Sequence, residues 1–130
     1  MADLLILAHG GGWEMRFQVS SLAASAAAAG ESVEVALFFA ALDAWVGGRW
    51  DEIDPRPPLA VERLERLALP PLAEMIENGR AEGRIRLFGC SASAHFLGLD
   101  PARVQERVDA VLGWQSFSRL TATAGRVVTL

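Results

Sequence analysis

The chain has 130 residues, 52% of them apolar, and 16 acidic against 12 basic side chains for a formal charge of −4. That makes one domain, residues 1–130, with material for a full core and a subunit interface, and it disfavours nucleic acid or an anionic membrane as a partner. Cys90 is the single cysteine and every basic residue is Arg, which excludes an internal disulfide, a paired-cysteine zinc site, a P-loop, a Schiff base and a pyridoxal anchor.

Leu4 to Ala8 is a continuous apolar run ending at His9-Gly10-Gly11-Gly12, a buried strand followed by a turn. Trp13 to Ala29 is rich in helix formers, and Gly30 stands where a helix-terminating glycine belongs. Ser32 to Phe39 reads as a strand, and Phe39 to Val46 as a short helix stopped by Gly47-Gly48. Arg49 to Leu59, with Pro55, Pro57 and Pro58 among acids, reads as an irregular or flexible excursion. Ala60 to Leu69 has helical spacing, and Pro70-Pro71 suits the first turn of a second helix with Leu72, Met75, Ile76 and Gly79 on one face.

Arg84 to Gly89 is the next strand, with Cys90 at its end. Ser91 to Leu97 is a short helix closed by Gly98, and Asp100-Pro101 is a helix start. Val108 to Leu112 (strand), Trp114 to Ala124 (helix) and Arg126 to Leu130 (strand) complete the chain. This alternation predicts an α/β fold, a mostly parallel sheet of about five strands covered on both faces. The apolar run at the start is too short for a secretory leader, and Val19 to Ala29 is too short to span a bilayer. A cytoplasmic protein with a reduced thiol is expected.

Ligands of such sheets bind outside the carboxyl ends of the strands. His9 with Gly10 and its neighbours, the Phe38-Phe39 turn and Cys90 all fall on that edge. A thiol between a strand and a helix meets free backbone N–H groups and the positive end of a helix dipole, which stabilise a thiolate. Ser91 and Ser93 add hydroxyl donors, and His95 approaches from the next turn. The plain alternative is a buried, inert thiol. A phosphatase loop would carry Arg where Phe96 stands, and the rhodanese pattern is poorly met with His95 five residues after the cysteine. A lone thiolate can still carry sulfane sulfur as a persulfide.

The glycine run resembles a phosphate loop, but Met15 replaces the third glycine of the dinucleotide pattern, and a tight turn is the simpler reading. No cofactor is called for. His9, Cys90 and His95 lack metal-ligand spacing, so no metal site is expected. Trp45 and Trp50 suit a pocket, a subunit contact or the core equally. Arg80, Arg84 and Arg86 beside Glu77 and Glu82 read as a solvated, locally paired patch.

The segments Leu4 to Gly10, Ser32 to Trp45, Leu69 to Gly83, Ile85 to Leu99 (IRLFGCSASAHFLGL) and Val108 to Leu120 occur in an order that resembles the DsrE/DsrF-like proteins, the sulfur-relay group that includes the Tus sulfur carriers. The resemblance spans nearly the whole chain and is most specific at Cys-Ser-Ala-Ser. It implies a three-layer α/β/α sandwich and assembly as a homotrimer or homohexamer. It also implies a cysteine, here Cys90, that takes persulfide sulfur from a donor protein and yields it to an acceptor. Ser91, Ser93, His95, His9, Gly10 and Phe39 are then the pocket or thiolate-stabilising candidates. The proline-rich excursion, Asp54 to Pro58, departs from the family, as does the lack of a second cysteine, so sulfur would pass between proteins. The rival reading is a non-catalytic homo-oligomeric module that binds a small ligand or partner, with a structural cysteine. A nucleotide-binding regulatory domain is a third.

Overall fold

A computed structural model describes residues 1–53 and 58–130. The elements, in chain order, are β1 (Leu4–Ala8), α1 (Trp13–Ala28), β2 (Val33–Leu37), α2 (Phe39–Val46), α3 (Pro58–Leu67), α4 (Leu72–Ala81), β3 (Ile85–Cys90), α5 (Ser91–Leu97), α6 (Pro101–Arg107), β4 (Ala110–Leu112), α7 (Trp114–Thr123) and β5 (Arg126–Thr129). The five strands form one sheet in the order β4-β3-β2-β1-β5, and every pair is parallel. The expected α/β sandwich with a parallel sheet is therefore present. Of the irregular excursion, residues 54–57 lie outside the described residues, and α3 already begins at Pro58.

Strand parity divides the core in two. Leu4, Ile6 and Ala8 of β1, Val33, Val35 and Leu37 of β2, and Ile85 and Leu87 of β3 share one cluster with Val19 and Ala23 of α1, Leu42 and Trp45 of α2, and Leu72 and Ile76 of α4. The alternate residues, Leu7, Ala36, Phe88, Cys90, Ala110 and Leu112, meet Phe38 and Phe117 and Leu120 of α7 in the second cluster. The helical cover is unequal, with α1, α2 and α4 over the first face and α7 over the second. Each fully buried aliphatic side chain contributes roughly 1.5–3 kcal/mol, which is why β1 and β2 carry almost no polar residue.

Small residues let the layers close. A side chain at Gly79 would collide with Ile85, so α4 sits tightly on β3. A Cβ at Gly11 would lie 2.6 Å from that of Ala40, so this glycine brings the start of α1 against α2. The glycine run is thus a close-packed turn. Gly30 takes φ +89° just past α1, as its position predicts. The start of α4 is capped by Asp51, which accepts from the backbone N–H groups of Leu72 and Ala73. Arg16, buried in α1, donates to the carbonyls of Gly11, Arg49, Trp50 and Glu52, tying the glycine turn to the segment after α2.

Both central tryptophans are core residues. Trp45 and Trp50 are fully buried and meet edge to face, 5.5 Å between centroids. Their indole N–H groups donate to the Arg107 carbonyl and to Ser20 Oγ. Arg80 pairs with Glu77 and Asp109, and Arg84 donates to the Gly30 carbonyl, so of these partners of the arginine patch Glu77 is local in sequence and the other two are distant. Burial pushes the Asp109 carboxyl up, but hydrogen bonds from Arg80 and the Leu87 N–H outweigh it and hold the group below its ordinary value.

Candidate functional site

Cys90 is the last residue of β3 and the N-cap of α5. Its Sγ accepts a hydrogen bond from the Ser93 backbone N–H at 3.5 Å, satisfying one of the donors that a helix start leaves free. Strand parity turns the thiol toward α7, where it is fully buried (0% exposed) among Ala36, Phe38, Phe88 and Phe117. Ser93 is equally buried, and its Oγ has no hydrogen-bond partner. A buried hydroxyl without a partner costs about 1–3 kcal/mol, so one residue holds the thiol with its backbone and keeps a second donor unused.

Four of the other candidates fall into two separate cavities. Ser91 and His95 line a cavity of about 470 Å³ between α5 and α6, with Leu99, Val104 and Val111 as its apolar wall. His9 and Phe39 line a cleft of about 340 Å³ with Leu7, Phe38, Trp114 and Thr129. Gly10 lies against Met15 and lines neither. The structure therefore does not bring His9 and His95 to one place. Phe38 is the link: it lines the cleft and packs in the cluster that holds Cys90. Cys90 itself lines neither cavity.

The cleft is aromatic. Phe38 and Trp114 stack at 5.3 Å and 22°, and Phe38 meets Phe117 at 4.9 Å. Phe39 takes φ +41°, a backbone conformation unusual for a bulky residue, and packs edge-on to Phe96. Such strain costs of order 1–3 kcal/mol and persists only where surrounding packing enforces it. Trp114 and Thr129 were not among the expected site residues. The signal for Trp114 is its place directly after a strand, the same edge rule that singles out Cys90. Thr129 joins the cleft only because β5 lies beside β1.

Among the described residues no group of three or more His, Cys, Asp or Glu side chains is placed to hold a metal ion, and no helix is long and apolar enough to cross a membrane. No protein-family model matches the chain, and no curated protein matches it.

Proposed function

We propose that the protein is a one-thiol sulfur carrier of the cytoplasm, working through Cys90. The observation that carries this reading is the seat of the thiol: the N-cap of α5, with the Ser93 backbone N–H on its sulfur. A backbone N–H at a helix start is a donor suited to an anionic sulfur. The likeness to the DsrE/DsrF-like proteins supports the same role. The Cys90 thiolate attacks the terminal sulfur of a donor persulfide, the donor's S–S bond breaks, and the donor leaves as a thiolate. An acceptor thiolate then takes the terminal sulfur and Cys90 leaves as a thiolate. No net oxidation occurs, and the second thiol in each step belongs to a partner protein. Ser91, His95 and His9 would act on approaching partners from the exposed rim. The reading includes a homotrimer or homohexamer, and a monomer by light scattering would contradict that part.

The full burial of Cys90 favours a second reading, a binding module in which the thiol is packing. Intact mass after incubation with polysulfide or a charged sulfurtransferase separates the two. The carrier gains one sulfur atom, loses it to reductant, and does neither as Cys90→Ser. A folded protein that gains no sulfur at Cys90 refutes the carrier.

A further inference from the structure

Glu34 puts a charged side chain in the middle of the sheet. It lies on β2, between β1 and β3, and only 7% of it is exposed. Its Oε2 is sealed from solvent and has no hydrogen-bond partner. An oxygen left in that state is costly, the more so on a charged group. Register sets the neighbours: Val127, Leu5, Glu34 and Arg86 stand side by side on β5, β1, β2 and β3. They form one row on the face that carries α7. The next row along the strands holds Leu7, Ala36 and Phe88, on which Phe117 and Leu120 pack. The ends of the Glu34 row are open, with Val127 42% exposed and Arg86 exposed.

Arg86 holds the matching donors. Its guanidinium lies over the Phe88 ring, 5.0 Å from the centroid. Stacking uses the flat face of the group and leaves its N–H edge unused. Among the described residues Arg86 makes no hydrogen bond or ion pair. Asp109, whose carboxyl feels the Arg86 charge, is already bonded to Arg80 and to the Leu87 N–H. One subunit thus carries an acceptor without a donor and, on the adjacent strand, a donor without an acceptor. A two-fold contact is self-complementary, so two copies can satisfy both at once. We infer that this row is a two-fold interface with a second copy of this chain, in which each Glu34 accepts from the Arg86 of the other copy. The inference deepens the assembly in the proposed function and rests on self-association alone, whether or not Cys90 carries sulfur. A cyclic trimer has no two-fold axis, so the assembly is even-numbered.

Sedimentation velocity of the full chain tests the inference. The wild type should be a hexamer or a dimer. Arg86→Ala, at an exposed position, should run at half that mass with an unchanged circular dichroism spectrum. The dissociation constant of the contact should rise at least about thirtyfold, because two ion pairs are lost together. Arg86→Lys, which keeps the charge but not the planar fork, should fall between the two. Arg103→Ala, on an exposed arginine of α6, should assemble as the wild type does. A wild-type monomer overturns this interface and the proposed assembly together. A wild-type trimer overturns the interface and leaves the proposed assembly standing. A dimer that Arg86→Ala splits keeps the interface and contradicts the homotrimer or homohexamer. An even-numbered oligomer undisturbed by Arg86→Ala assigns the contact to another face and overturns the inference. A lower melting temperature at unchanged mass shows that Arg86 serves Glu34 within its own subunit, and overturns it too.

Discussion

The two faces of the sheet are built from the same three central strands and differ in kind. Under α1, α2 and α4 the core is mainly aliphatic, and Trp45 and Trp50 are fully buried in it with their N–H groups bonded. Under α7 it is aromatic, covered by one ten-residue helix, and it holds Cys90 and borders an open cleft. One face spends its side chains on packing. The other leaves the Trp114 ring exposed beside a strained Phe39.

The largest effects should come from the first face. Trp45→Ala removes a fully buried indole and the shorter of two hydrogen bonds to the Arg107 carbonyl, and should cost about 3–5 kcal/mol in urea denaturation. Phe117→Ala, though buried, should cost less, because α7 borders an open cleft and can settle inward. Equal losses would erase the distinction between the faces. Arg16→Met leaves four carbonyls without the guanidinium and should cost about 2–4 kcal/mol by the same assay.

A smaller effect is set by acid. Asp109 joins the start of β4 to β3 and Arg80, and its folded carboxyl titrates below its free value of 3.8. The unfolded chain therefore takes up the proton first. The stability from this group is present above the unfolded value and is lost as pH falls through the folded one. Asp109→Asn should flatten the low-pH slope of a stability profile, and an unchanged slope would assign the acid sensitivity elsewhere. Smallest of all, Trp114→Ala should change stability by less than about 0.5 kcal/mol, since its ring is largely exposed. A larger loss would make the cleft wall a core element.

Much of this architecture was legible in the sequence because local signals agreed. The run RIRLFGCSAS places a strand end, a thiol and a helix start within a few residues, and the structure keeps them there. Gly30 ends its helix for the same local reason. What depends on neighbours in space was not legible. The pairing of β5 with β1 decides that His9 joins Trp114 and Thr129 rather than His95. The spacing of Phe88 and Cys90 puts both on one face, but only the position of α7 shows that this buries the thiol. Nothing local marks Arg16, because three of its four carbonyl partners lie 33 to 36 residues away.

The alkylation rate of Cys90 in the folded protein tests the proposed role of the thiol most directly. It is followed by intact mass with iodoacetamide and set against the rate that global unfolding alone allows. A carrier thiol must be reached by local opening beneath α7, so alkylation well above the unfolding-limited rate is predicted, rising further in Phe117→Ala. Alkylation only as fast as global unfolding permits would contradict the carrier and leave Cys90 a packing residue.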